Sequence, residues 1–236
     1  MKFLVFDDRN ALDCAAAESI AALLKEKPNA ILGLATGSSP EGMYRQLCRM
    51  HREEGLDFSA VRSFNLDEYI GIPEDHPQSY HVFMEENLFS KVNIQKENTH
   101  IPGSAYDSGE AYDNEIAAAG GIDLQVLGIG RNGHIGFNEP AQSLALGTHV
   151  AALTPSTREA NARFFDSIEQ VPEYAMTMGI GSIMGAKKIL LIATGKEKHE
   201  AVQFLRDALV STRVPATLLK LHPDVTVFCD REAYGQ

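Results

Sequence analysis

Short apolar runs alternate along the chain with longer segments in which apolar residues recur every three to four positions. The continuous runs predict buried strands of a parallel sheet, and the helical period predicts amphipathic helices between them. The predicted strands are Lys2–Phe6, Ala30–Ala35, Val61–Leu66, Ile122–Ile129, Lys188–Ala193 and Val225–Cys229. The predicted helices are Ala11–Lys25, Glu41–Glu54, Tyr80–Phe89, Ser108–Ala118, Arg158–Phe165 and Lys198–Val210.

This alternation predicts an α/β fold: a doubly wound, mainly parallel sheet with helices on both faces, in a Rossmann-like three-layer sandwich. Because no linker, repeat or low-complexity tract interrupts it, residues 1–236 are expected to form a single domain. Ser39-Pro40 and Thr154-Pro155 each place a hydroxyl cap before a first-turn proline. Ligands of such sheets bind in the loops that follow the strands.

The composition of the chain argues against several classes of function. The net charge of −11 argues against a broad surface for nucleic acid or anionic membrane, so an anionic ligand would need a few well-placed cations. The three cysteines are far apart, as expected of reduced thiols, and no histidine spacing indicates a metal site. The N-terminus does not resemble a signal peptide, and no apolar stretch approaches the roughly 20 residues of a membrane span. We therefore expect a soluble, cytoplasmic protein.

The first unusual loop follows the second predicted strand and reads ATGSSP at residues 35–40. Glycine permits a tight turn, and hydroxyl groups together with the amides of a following helix form a cradle for an anion. The loop lacks the lysine of a P-loop and the spacing of GxGxxG, which argues against a nucleotide. Ser38 and Ser39 are therefore candidate phosphate ligands, and a plain strand–helix turn stays open as the alternative.

Two adjacent carboxylates, Asp67 and Glu68, end the third predicted strand. Neighbouring residues of an extended segment point to opposite faces, so one of them can face a cleft while the other serves as a structural acid or helix-cap partner. A carboxylate in a partly dry cleft has a raised pKa and suits general-base catalysis. A solvated loop acid is the alternative.

The most specific motif is GIGRNGHIGFNEP, which follows the fourth predicted strand at residues 128–140. Its four glycines in nine residues indicate unusual backbone angles or a close approach to a ligand. His134 can exchange protons near neutral pH, and Glu139 can orient it as an acid–histidine pair. The motif therefore predicts a catalytic loop.

Several cations lie on the predicted helices that follow. Arg158 and Arg163 are five residues apart, and Lys198 begins a later helix. Cations in a helix's first turn oppose its dipole, so Lys196 and Lys198 indicate either an anionic ligand shared with the Ser38 turn or simple solvation.

Together these motifs resemble the glucosamine-6-phosphate deaminase family from about Ala30 to Asp230. The segments that carry the resemblance are ATGSSP, FNLDEYIGIPEDHPQSY, LGIGRNGHIGFNEP and ARFFDSIEQVPEYAMTMGIGSIMGAKKILLIATG. The resemblance implies an enzyme of amino-sugar catabolism that converts glucosamine 6-phosphate and water to fructose 6-phosphate and ammonia. Ring opening, aldose–ketose isomerisation and loss of the amine would follow one another, with no metal, redox cofactor or pyridoxal phosphate.

The resemblance also implies roles for single residues. Asp67 would be the base that moves a proton from C2 towards C1. His134, assisted by Glu139 and Asn132, would open the pyranose ring. The implied ligands of the 6-phosphate are Ser38, Ser39, Arg163 and Lys198.

Two departures from the family pattern have consequences. Many relatives carry Asp where this chain has Asn132, so we expect retained activity with an altered pH profile. Members activated by N-acetylglucosamine 6-phosphate have a basic cluster after the NEP motif and a longer C-terminal segment. Residues 141–151 here contain no Lys or Arg. We expect no such activation, and either a monomer or a homo-oligomer.

Three alternatives stay open. A 6-phosphogluconolactonase shares the fold, but usually shows Asp-Glu-Arg where this chain has Asp67-Glu68-Tyr69, and lacks the Phe-Asn-Glu-Pro ending. A deaminase of galactosamine 6-phosphate differs in contacts that the sequence does not place. A sugar-phosphate sensor of a transcription regulator would normally carry an added helix-turn-helix.

Overall fold

The computed structural model describes residues 1–103, 105–162, 165 and 167–236. The strands are β1 (Lys2–Phe6), β2 (Ile31–Leu34), β3 (Arg62–Asn65), β4 (Asp67–Ile70), β5 (Thr99–His100), β6 (Leu124–Gly128), β7 (His149–Ala152), β8 (Tyr174–Thr177), β9 (Lys188–Ala193) and β10 (Val225–Asp230). The α-helices are α1 (Arg9–Glu26), α2 (Glu41–Glu54), α3 (Tyr80–Asn87), α4 (Gly109–Ala119), α5 (Pro155–Asn161), α6 (Ile180–Met184), α7 (His199–Arg206) and α8 (Arg231–Tyr234).

Seven parallel strands form the central sheet, in the order β1-β10-β9-β6-β2-β3-β5. All four residues of β2 are buried, as expected of a strand covered on both faces. The predicted α/β fold with a mainly parallel sheet is thus confirmed. The six predicted strands all lie in this sheet, and their continuous apolar runs explain why they were predictable.

A second sheet was not predicted. It is antiparallel, with the order β4-β8-β7. Its strands have four residues each, and along β7 intermediate and exposed residues alternate. Such a short, half-exposed strand lacks the apolar run that marks the buried strands of the central sheet.

The two sheets meet at Leu66, between β3 and β4. The Leu66 N–H donates to the carbonyl of Leu34 in the central sheet, with an N–O distance of 2.9 Å. Its carbonyl accepts from the N–H of Met178, next to β8, at 2.7 Å. One residue therefore satisfies its backbone groups in both sheets and fixes the position of everything that follows in β4.

Helix boundaries follow local capping. Asp8 accepts from the N–H of Ala11 and starts α1 at Arg9, two residues before the predicted start. The prediction that Thr154 caps a helix beginning with a proline is confirmed, since its hydroxyl accepts from the Thr157 N–H at 3.2 Å. The helix therefore begins before Arg158, and it ends at Asn161.

The corresponding prediction for Ser39-Pro40 was wrong. Pro40 itself occupies the capping position of α2, where no side chain caps the helix, and Ser39 lies in the preceding turn. The predicted end of α7 at Val210 was also wrong. Lys220 donates to the carbonyls of Phe204, Asp207 and Leu209 at 2.6 Å each, which satisfies the backbone where the helix stops.

None of the helices in the described part of the chain is long and apolar enough to cross a membrane.

Candidate active site

Asp67 begins β4, immediately after the residue that joins the two sheets, and pairs with Thr177 of β8. It is 7% exposed. Burial, with a smaller contribution from the charge of Glu68, raises the pKa of Asp67 to about 8. A carboxyl group with this pKa can both take up and return a proton near neutral pH, as a general base must.

Glu68 points to the other side of the strand and has a different task. Its carboxylate accepts hydrogen bonds from the backbone N–H groups of Tyr69, Tyr80 and His81, at 2.7, 2.8 and 3.2 Å. Burial raises its pKa to about 7, and these three donors oppose the rise. The prediction that one of the two acids is a helix-cap partner is confirmed, because Tyr80 and His81 open α3.

The loop between β6 and Pro140 approaches Asp67 through a glycine. Gly136 has a φ of +56°, and a Cβ at this position would lie 3.4 Å from Asp67 Oδ2 and 2.8 Å from Thr177 Oγ1. The Thr177 hydroxyl also accepts from the Phe137 N–H at 3.1 Å. A side chain at Gly136 would therefore push the loop away from the carboxyl group.

Two further contacts hold this loop in place. The Gly130 N–H donates to the carbonyl of His134 at 2.9 Å, and a Cβ at Gly130 would overlap the imidazole ring. The buried Asn138 amide donates to the carbonyls of Ile135 and Met178, at 2.9 and 2.8 Å. Sequence reasoning overlooked Asn138, whose signal was its place inside the FNEP motif.

The loop brings Asn132, His134 and Glu139 into direct contact. His134 Nδ1 lies 2.8 Å from Asn132 Oδ1 and 3.3 Å from Glu139 Oε1. Asn132 Oδ1 also accepts from the His134 backbone N–H at 3.1 Å, which fixes the orientation of the amide. Since both neighbours of Nδ1 are acceptors, we assign the proton to Nδ1, which leaves Nε2 with its lone pair.

Asn132 connects the histidine to the glutamate. While its Oδ1 faces His134, its Nδ2 donates to Glu139 Oε2 at 2.8 Å. An amide can donate and accept in this way, whereas an ionised aspartate would bring a second negative charge against Glu139. Asn132, where many relatives carry Asp, is therefore compatible with an ordered arrangement of His134 and Glu139.

Glu139 stays ionised. Burial disfavours its charge, but the hydrogen bond and charge of His134 and a hydrogen bond from Thr157 outweigh burial. The Asn132 bond adds to them, and together they lower the pKa of Glu139 to about 2. Glu139 therefore places a fixed negative charge 3.3 Å from His134 Nδ1.

Thr157, in the first turn of α5, is a further member of the assembly that sequence reasoning missed. Its hydroxyl donates to Glu139 Oε1 at 2.6 Å and accepts from the hydroxyl of Thr154 at 2.9 Å. The helix cap and the carboxylate are thus joined by two hydrogen bonds. The Thr154-Pro155 pair predicted that a helix starts here, but it did not predict the contact between this helix and Glu139.

Three of the candidate phosphate ligands, Ser38, Ser39 and Lys198, follow the carboxyl ends of inner strands of the central sheet. Ser38 and Ser39 follow β2, Lys198 follows β9, and these two strands flank β6. The Ser39 hydroxyl lies near Gly128, where a Cβ would be 3.1 Å away from it. Arg163 lies outside the described residues. Arg158 donates to the carbonyls of Ile168 and Val171, at 3.1 and 3.0 Å.

In the described part of the chain, no group of three or more His, Cys, Asp or Glu side chains is arranged to hold a metal ion.

The chain is similar to known proteins over nearly its whole length. The family described as glucosamine-6-phosphate isomerases/6-phosphogluconolactonase matches residues 9–228. The chain belongs to this family. A glucosamine-6-phosphate deaminase of Thermoanaerobacter pseudethanolicus is 55% identical over 237 residues, which cover 99% of this chain and 94% of the relative. One from Clostridium perfringens is 50% identical over 237 residues, covering 99% and 98%.

Solved structures are similar to this chain at very different levels of sequence identity. A monomeric glucosamine-6-phosphate deaminase superposes with a TM-score of 0.96 at 46% identity, over 100% of this chain and 99% of the other. The 6-phosphogluconolactonase of Trypanosoma brucei superposes with a TM-score of 0.76 at 18% identity, over 99% and 97%. The second similarity, at this low identity, shows a shared fold alone.

The raised pKa of Asp67 predicts a stability effect. Its folded-state pKa lies above the ordinary 3.8, so the neutral form's contribution to stability is fully present below pH 3.8 and is lost as pH rises through about 8. We expect Asp67→Asn, which stays neutral, to gain melting temperature relative to wild type as pH rises from about 5 to about 8. Thermal unfolding of both proteins across this range measures the difference.

Asp57→Asn serves as the control. Hydrogen bonds from the Ser59 N–H, the Asn93 amide and the Ser59 hydroxyl lower the pKa of Asp57, so this variant should show no such gain. A melting-temperature difference for Asp67→Asn that is the same at both ends of the range would contradict a raised pKa.

Thr157→Val is expected to raise the pKa of Glu139, because the carboxylate loses the donor at 2.6 Å. The titration of the Glu139 carboxyl carbon by ¹³C NMR measures the shift directly. Thr157→Ser keeps the hydroxyl and should keep the wild-type titration. An unchanged Glu139 pKa in Thr157→Val would remove Thr157 from the assembly.

Proposed function

We propose that this protein is a glucosamine-6-phosphate deaminase, which converts glucosamine 6-phosphate and water to fructose 6-phosphate and ammonia. The observation that carries the proposal is the juxtaposition of a buried carboxyl group with a raised pKa and a loop that presents a histidine–glutamate pair. Deaminases that match this chain over nearly their whole length support it.

Ring opening comes first. His134 Nε2 takes the proton of the anomeric hydroxyl and returns a proton to the ring oxygen, so the pyranose opens to the aldehyde. The charge of Glu139 stabilises the imidazolium between the two transfers, and Asn132 keeps the ring oriented through Nδ1. The altered pH profile expected from Asn132 stays a prediction.

Isomerisation and deamination follow. Asp67 removes the proton from C2, next to the aldehyde, while a proton of the substrate's own C2 ammonium group passes to O1, and a neutral enolamine forms. The same carboxyl group then delivers its proton to C1, which leaves an iminium at C2. Water hydrolyses the iminium to the ketone and ammonium, the protonated form of the ammonia released. Because Asp67 is buried, its proton is held away from solvent between the two transfers.

The phosphate group is bound away from the reacting carbons. We place it between the turn of Ser38 and Ser39 and Lys198, the residue just before α7, with Arg163 as a further expected ligand. Binding energy gained there positions C1 and C2 against Asp67 and His134 without entering the chemistry.

The direct test measures ammonia and fructose 6-phosphate from glucosamine 6-phosphate with no metal or cofactor added. We expect the two products in equal amounts, and no turnover by Asp67→Asn because an amide cannot accept the C2 proton. Galactosamine 6-phosphate and 6-phosphogluconolactone are assayed alongside. Hydrolysis of the lactone without ammonia release, or binding of the sugar phosphate without any turnover, would contradict the proposal.

We further propose that the enzyme is a monomer that acts in the cytoplasm and is not activated by N-acetylglucosamine 6-phosphate. The monomeric deaminase with a TM-score of 0.96 supports the assembly state, and the absence of Lys and Arg from residues 141–151 supports the missing activation. Light scattering should give the mass of one 25.8 kDa chain. A saturation curve that the acetylated sugar makes markedly steeper would contradict the second part.

A further inference from the structure

Arg9 connects the two loops in which we place the phosphate. Its Nη2 donates to the carbonyls of Ser38 and Ser39, at 3.0 and 2.6 Å, in the turn after β2. Its Nη1 donates to the hydroxyl of Thr194 at 2.9 Å, directly after β9. One guanidinium group therefore spans two loops on either side of β6.

The arginine is itself held in place. Its Nε donates to Asp13 Oδ1 at 2.8 Å, one turn further along α1, and Asp13 is buried. A Cβ at Gly42 would overlap the Asp13 carboxylate, so the glycine in the first turn of α2 makes room for this anchor. As the first residue of α1, Arg9 also places a cation where the helix dipole disfavours one. Its hydrogen bonds compensate for that position.

The loop beyond Thr194 leads to Lys198. Gly195 has a φ of +86°, its carbonyl accepts from the Lys198 N–H at 3.0 Å, and α7 begins at the next residue. The position of Thr194 therefore sets where Lys198 stands relative to the Ser38 turn. A shift between the two loops would change the width of the space that receives the phosphate.

We propose that Arg9 is a positioning residue that fixes the separation between the two halves of the phosphate site, the Ser38–Ser39 turn and the loop from Thr194 to Lys198. The inference rests on the proposed function. A guanidinium group has five N–H donors, and four of its possible bonds go to Asp13, Thr194 and the two serine carbonyls. The group thus acts mainly on the protein's own loops.

The test compares Arg9→Met and Arg9→Lys with wild type in steady-state kinetics. We expect both variants to raise KM for glucosamine 6-phosphate, and the inhibition constant of inorganic phosphate, by about tenfold or more, while kcat changes by less than about twofold. Arg9→Lys should not restore the wild-type KM, because an ammonium group cannot make the four hydrogen bonds in this geometry. Arg231→Met is the matched control: it removes another helix-first arginine, one that pairs with the exposed Asp7, and should leave KM unchanged.

Thr194→Val offers a second, milder variant that removes a single acceptor of Arg9. If Arg9 acts through Thr194, the KM increases of the two single variants should not multiply in Arg9→Met/Thr194→Val. Thermal melts establish that each variant is folded; if Arg9→Met is not, Arg9→Lys and Thr194→Val carry the test.

Three results would overturn the inference: a wild-type KM and phosphate inhibition constant in Arg9→Met, full rescue by lysine, or fully multiplicative effects in the double variant. These outcomes are distinct from failure of the proposed function, in which the wild-type enzyme itself releases no ammonia.

Discussion

The exclusion of water from the Asp67 carboxyl group is the constraint on which the candidate site depends. The exclusion arises from the backbone, because Leu66 is hydrogen-bonded to both sheets and leaves the next residue at their junction. A carboxyl group there is costly to ionise, and the cost appears as a pKa of about 8. The same burial brings the pKa close to neutral pH, which suits the general-base role that we propose for Asp67.

Two acidic groups of the site, Asp67 and Glu139, have very different pKa values because their surroundings differ. Glu139 belongs to the glycine-rich loop that approaches Asp67. Its hydrogen-bond donors nevertheless lower the pKa of Glu139 to about 2. Asp67 can therefore exchange a proton while Glu139 keeps its charge for His134. Two carboxyl groups thus take two roles because one is buried with little compensation and the other accepts hydrogen bonds from three side chains.

The sequence predicted those parts of the molecule whose signal is local. Continuous apolar runs predicted the strands of the central sheet, glycines indicated the candidate catalytic loop, and alternation along an extended segment separated Asp67 from Glu68. Parts that depend on distant contacts were not predictable. The small antiparallel sheet has no apolar run, Thr157 meets Glu139 across 18 positions, and Arg9 reaches Thr194 across 185. The end of α7, which was predicted wrongly, likewise depended on a distant residue, Lys220.

The most direct test of Asp67 as a single base on one face of the sugar uses glucosamine 6-phosphate that carries deuterium at C1. In the fructose 6-phosphate formed, C1 then holds that deuterium and one newly added proton. Because Asp67 lies on one side of the enolamine, we predict a single diastereotopic C1 proton signal by NMR, and no product from Asp67→Asn. Equal signals from both C1 positions, or product from Asp67→Asn at the wild-type rate, would contradict the role of Asp67.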